Sequence, residues 1–192
     1  MDRQQPPPPI TAERLERAAL HYLERFAASA ASLRRVLARR VERSARDHGG
    51  DAAEGKRWIE TLIERYQRSG LLNDAVYAEA KASSLRRRGG SARAIRDKLA
   101  AKGVDGEIAA QALARVDGET EPEDGPAPSA DSADEAAARA LARRRRLGPF
   151  RPEALRAEYR TKDLATLGRA GFSYETARRV IDGELEDDID GA

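Results

Sequence analysis

Arginine and lysine supply the chemistry that this sequence offers in quantity. Arg86, Arg87 and Arg88 stand in a row, Gly89-Gly90 breaks it, and Arg93, Arg96, Lys98 and Lys102 follow. A second row, Arg143, Arg144, Arg145 and Arg146, comes later. Guanidinium forks and ammonium groups at this density suit a chain of phosphates, whose condensed counterions they displace. The glycine pair is expected to fold the first two groups toward each other into a local basic cluster. Arg143–Arg146 covers slightly more than one helical turn, so about two of the four face any one partner. The plainer reading of both rows is a solvated surface that complements helix C-terminal dipoles.

Catalysis has little to work with. His21 and His48 are the two histidines, and neither has a second histidine, a cysteine or a paired carboxylate at metal-ligand spacing. Gly49-Gly50 and Gly89-Gly90 lack the glycine, lysine and serine or threonine pattern of a phosphate-cradling loop. No catalytic residue, metal ligand or cofactor is therefore assigned, and the chain reads as a non-enzyme. Trp58, the single tryptophan, adjoins Ile59 and is placed in the core; a base-stacking platform would need its ring exposed.

The 192 residues carry a formal net charge of only +2, but the charge is segregated. Residues 1–116 hold 23 basic and 15 acidic side chains, and 136–181 hold 12 and 4. Between them, 117–135 hold 8 acidic and no basic side chains, and 182–192 hold 6 acidic and none basic. Basic bodies attract phosphate-rich partners, whereas short acidic blocks are ordinarily solvated spacers. A sharper reading of the acidic linker is that it competes with nucleic acid for the basic surface. No apolar run approaches the roughly 20 residues of a membrane span, and the start is polar and proline-rich, so a cytoplasmic protein without membrane attachment is expected.

The elements that must carry these side chains are helices. Aromatic residues make up 5% of the chain, and Ala, Leu, Arg and Glu dominate, with little period-2 alternation. Thr11, Ser29, Asn73 or Asp74, Ser91 and Ser173 are candidate N-caps, and Ser132-Ala133-Asp134-Glu135 has the form of a capping box. Gly70, Gly89, Gly103 and Gly171 mark helix ends. The first helix has its apolar stripe at Leu15, Ala19, Tyr22, Leu23 and Phe26, and the fourth at Val76, Tyr77, Ala80 and Leu85. Nine helical segments result, in groups of three. The fold class is all-α: about three tandem three-helix repeats in an elongated, curved protein.

The divisions are 1–10, a disordered N-terminal segment; 11–72, the first repeat, with an insertion at 44–55; 73–117, the second; 118–131, an acidic linker containing Pro122, Pro126 and Pro128; 132–182, the third; and 183–192, an acidic tail. Repetition is visible in residues. An offset of 62 pairs Ser29 with Ser91, Arg34 with Arg96 and Leu37 with Leu99, and an offset of 68 pairs Leu99 with Leu167 and Gly103 with Gly171.

The ordered series Gly70-Leu71-Leu72-Asn73-Asp74, Tyr77-Ala78-Glu79, Leu85 to Gly89, Ile95 to Leu99 and Lys102-Gly103-Val104-Asp105 resembles the central repeat of the RecX family. Leu167 to Tyr174 is similar to that family's last repeat. The resemblance implies a regulator of the RecA recombinase in DNA recombination, repair and the SOS response. It implies binding to the RecA–DNA filament, most often with inhibition of ATP hydrolysis and strand exchange, and binding to single- or double-stranded DNA. A monomer is expected. The alternatives from the residues are a helical nucleic-acid-binding protein that needs no recombinase, and a scaffold that binds protein alone.

Overall fold

In the computed structural model, which describes residues 8–118 and 130–183, the described residues form nine α-helices and no strand. They are α1 (Ala12–Arg25), α2 (Ala30–His48), α3 (Ala52–Arg68), α4 (Asp74–Arg86), α5 (Ala92–Ala101), α6 (Gly106–Gly118), α7 (Ala130–Arg145), α8 (Glu153–Arg169) and α9 (Tyr174–Asp182). A single 3-10 turn, Gly148–Phe150, precedes α8. Side-chain caps fix several starts. Thr11 accepts from the Arg14 amide at 3.3 Å, Ser29 from Ser32 at 3.2 Å, Asn73 from Ala75 at 3.0 Å and Ser173 from Thr176 at 3.0 Å. Each such cap is worth about 1 kcal/mol.

The chain divides into two compact units, residues 1–77 with 101–105, and 78–100 with 106–192. The units cut across the second repeat, whose α4 and α5 each contribute to both. In the first unit Leu15 and Ala19 of α1 meet Leu33, Leu37 and Val41 of α2 and Ile59, Leu62, Ile63 and Tyr66 of α3. Trp58 is half-buried against this core. The insertion is the last five residues of α2, a three-residue link and the first turn of α3, where a Cβ on buried Gly55 would collide with Val41. In the second unit Ala137, Ala138, Leu141 and Ala142 of α7 pack with Leu167 of α8 and Ala177, Val180 and Ile181 of α9.

One fastening occurs once in each unit. In the first, the Ser29 hydroxyl at the start of α2 donates to the Lys102 carbonyl at 2.5 Å, and the Ala30 amide donates to the Asp74 carboxylate at 2.8 Å. In the second, the Ser91 hydroxyl at the start of α5 donates to the Ala170 carbonyl at 2.8 Å, and the Ala92 amide donates to Asp134 at 2.8 Å. Each serine thus caps its own helix and holds the C-terminal carbonyl of the next repeat's second helix. Gly103 and Gly171 follow those carbonyls at φ of 74° and 94°. A Cβ on Gly103 would collide with that of Ala31, and one on Gly171 would sit 2.5 Å from the Ser91 oxygen, so both sites need glycine twice over. The serine and glycine pairs are the ones the offsets of 62 and 68 align, which gives that sequence match a physical cause. At the start of α8 the cap position is Pro152, with no side-chain hydrogen bond.

Several expectations need correction. Phe26 is 52% and Val76 60% exposed, so neither belongs to a buried stripe. Helix α4 buries Ala78 and Ala82 instead, an i, i+4 pair small enough for close helix approach. Ser132 lies inside α7, which begins at Ala130, and Glu135 binds Arg179 at 3.0 Å and Arg139 at 3.3 Å, so the four residues are not a capping box. Ile10 is tied down, its amide donating to the Ser44 hydroxyl at 2.8 Å. Most of the N-terminal segment (1–7), of the acidic linker (119–129) and of the acidic tail (184–192) lies outside the described residues.

Candidate partner-binding surface

Helix α4 ends in the first arginine row, and the turn after it is pinned. The Gly90 amide donates to the Leu85 carbonyl at 3.0 Å and Gly89 to Arg86 at 2.8 Å, with Gly89 at φ of 72°. Gly89 is buried against α7: a Cβ there would lie 2.8 Å from the Ala137 carbonyl oxygen. The turn is therefore a packing contact as well as a helix stop.

The row splits in function. The Arg86 side chain is only 9% exposed; its Nε and Nη2 donate to the two Asp117 oxygens at 2.8 Å, and its Nη1 donates to Asp134 at 2.5 Å and to the Gly90 carbonyl at 2.9 Å. Burial works against its charge, but its hydrogen bonds to Asp117 and Asp134, together with their negative charges, outweigh it and raise its pKa above the ordinary arginine value. With its fork fully committed, Arg86 is not available to a partner, which corrects its place among the candidates. Asp134 holds Arg86 and the Ala92 amide together, so this cluster also secures the second fastening.

Arg87 and Arg88 are exposed, Arg87 bonding only to the Ser83 hydroxyl at 2.8 Å. On α5, Ile95 and Leu99 point inward while Arg93, Arg96 and Lys98 are exposed. Arg93 and Arg96, three residues apart, share a solvent face, and Lys98 projects from the opposite flank. Arg88, Arg93, Arg96 and Lys98 make no ion pair with any described residue. Lys102 is exposed too but belongs to the first unit.

The second row closes α7. Arg143 lies over the Phe150 ring at 5.5 Å, whereas Arg144, Arg145 and Arg146 are exposed and make no ion pair with any described residue. Arg146 holds the left-handed position after the helix, φ 54°, where glycine is the usual occupant. Several other arginines are spent on structure. Arg34 pairs with Glu60 at 2.7 Å, Arg160 with Asp182 at 2.6 Å, and Arg65 and Arg115 with Glu16 and Glu79. Arg151 grips Asp163, which is 2% exposed and also accepts from the Gly148 amide at 2.9 Å. Residue type did not separate these roles, and the acidic partners Asp117, Asp134 and Asp163 were not singled out in the sequence.

His21 is exposed beside Glu24, and His48 is exposed at the end of α2. No group of three or more potential metal ligands occurs among the described residues, and no helix there is long and apolar enough to cross a membrane.

The profile of "RecX, second three-helix domain" matches residues 73–113. Among curated proteins, the Regulatory protein RecX of Myxococcus xanthus is 48% identical over 169 residues, covering 88% of this chain and 84% of its own. That of Amycolatopsis mediterranei is 37% identical over 67% of this chain and 65% of its own, and that of Agrobacterium fabrum 32% over 57% and 51%. No solved structure matches the chain. Identity of 48% that extends from the first repeat to the last makes this chain a member of the RecX family of regulatory proteins.

Proposed function

We propose that the protein binds the RecA–DNA filament and inhibits its ATPase and strand-exchange activity, using Arg87 and Arg88 after α4, Arg93, Arg96 and Lys98 of α5, and Arg144 to Arg146 at the end of α7 as the contacting cations. The observation that carries the reading is the division of labour among the arginines: these groups stay exposed and without acidic partners among the described residues while others of the chain are neutralised in place. Unpaired cations on rigid helices lose little entropy on meeting phosphates or acidic side chains and release counterions as they do. The family membership supports RecA as the regulated protein.

The test is single-stranded-DNA-dependent ATP hydrolysis by the cognate recombinase, titrated with substoichiometric protein at near-physiological salt. Dose-dependent inhibition is expected, and the Arg87→Glu/Arg96→Glu variant should inhibit far less while keeping its helical circular dichroism. Unchanged inhibition by that variant refutes the proposed face. Absence of any effect on the recombinase, with DNA binding retained, favours a nucleic-acid-binding protein that acts alone.

A further inference from the structure

The first unit holds an open cleft of about 510 Å³ that none of the foregoing uses. Its walls come from α1, α2, the start of α4 and the residues after α5. Tyr22, Tyr77, Arg39, Glu42 and Lys102 are among the residues that line it. Arg35 is part of the lining but is already held, both Nη atoms donating to the Ala101 carbonyl at 3.2 Å and one to the Ser32 hydroxyl at 3.3 Å. By contrast the Arg39 and Lys102 side chains make no ion pair with any described residue, and neither tyrosine hydroxyl has a hydrogen-bond partner among them. Both rings are half-buried, with their apolar bodies in the cleft wall.

We propose that this cleft binds a nucleoside phosphate, the base packed on Tyr22 and Tyr77 and the phosphate held by Arg39 and Lys102. The volume exceeds what a phosphate ion needs and suits a single nucleotide. Aromatic side chains give a base a sequence-tolerant stacking partner, and two uncommitted cations give its phosphate charge-assisted hydrogen bonds. Glu42, one turn from Arg39 on α2, opposes a bare polyanion and accepts hydrogen bonds from the N–H groups of a base. The occupant is either a free nucleotide or one nucleotide of a single strand; both present the same chemistry. The inference is separate from the filament reading, because none of the α4–α5 arginines lines the cleft and its test contains no recombinase.

The full chain is titrated calorimetrically at fixed ionic strength with ATP, with a twelve-nucleotide oligothymidylate and with inorganic pyrophosphate. Saturable binding of ATP or of the oligonucleotide is expected, with pyrophosphate much weaker. Binding by ATP alone identifies a free nucleotide, and binding by the oligonucleotide alone identifies a strand. The Arg39→Ala/Lys102→Ala variant should weaken binding about tenfold or more, the loss of two charge-assisted hydrogen bonds. Arg17→Ala/Lys56→Ala, which removes the same charge from exposed sites elsewhere in the unit, should change it less than about twofold. The inference is overturned if neither nucleotide probe saturates, if pyrophosphate binds as tightly as ATP, or if the two variants weaken binding equally.

Discussion

Replacing Arg86 by alanine tests whether the arginine row has been divided correctly between structure and surface. The substitution strands two carboxylates, Asp117 and Asp134, whose side chains are only 11% and 18% exposed. Breaking a buried charge cluster by removing one partner costs roughly 3–5 kcal/mol, most of it the penalty of the charges left behind. For a chain of this size each kcal/mol lowers the melting temperature by about 2–4 °C, so a fall of roughly 6–20 °C is expected. Arg87→Ala and Arg88→Ala, at exposed neighbouring sites, should each shift stability by no more than about 0.5 kcal/mol. The assay is urea and thermal unfolding followed by circular dichroism at matched pH and salt. Adding Asp117→Asn to Arg86→Ala removes one stranded charge and should restore part of the loss. If Arg86→Ala unfolds with its neighbours' midpoint, the cluster holds nothing together and Arg86 returns to the candidate surface.

Three further outcomes follow from the geometry. Ser29→Ala and Ser91→Ala should each cost about 2 kcal/mol in urea unfolding, because each hydroxyl caps one helix and bonds the carbonyl of another, and a threonine replacement should recover little where the site is fully buried. Arg146→Gly should stabilise by about 1 kcal/mol by relieving a left-handed non-glycine residue, and a lowered midpoint would contradict that account. Acid should destabilise the fold in a defined direction. Hydrogen bonding to Arg34 lowers the Glu60 pKa below its ordinary 4.5, and bonding to Arg160 lowers that of Asp182 below 3.8. Their contributions are complete above those ordinary values and vanish as pH falls through the lowered ones. In Arg34→Ala and Arg160→Ala the slope of stability against pH below about 4.5 should be shallower; an unaltered slope counts against these pairs.

Much of the fold was legible because helix boundaries are local chemistry. Thr11, Ser29, Asn73, Ser91 and Ser173 cap as their residue types suggest, and Gly70, Gly89, Gly103 and Gly171 all take positive φ. Burial was less legible where it depends on what a helix meets. Phe26 looks like the next member of α1's stripe, but α1 ends at Arg25 and the chain there is extended, which turns the ring outward against Tyr22 at 5.2 Å. In α4 it is Ala78 and Ala82 that face inward rather than the larger Val76, which a hydrophobic pattern does not anticipate. The capping-box signature misled because α7 starts upstream of it, freeing Asp134 and Glu135 to bind arginines from elsewhere. The same limit applies to the candidate surface: Arg86, Arg87 and Arg88 are identical in sequence, and only partners 31 and 48 residues away set Arg86 apart.

The paired fastenings bear on how such a chain grows and where it stops. The middle repeat carries both halves of the connection: Asp74 and the Lys102 carbonyl receive, while Ser91 and the Ala92 amide give. A duplication of that repeat would arrive with a plug and a socket already matched to its neighbours, so the gene could lengthen in whole modules without redesigning any junction. Pro152, standing where the first two repeats have serine, offers no hydroxyl to the next carbonyl. The third repeat thus carries the receiving half of the fastening, in Asp134 and the Ala170 carbonyl, without the serine of the giving half.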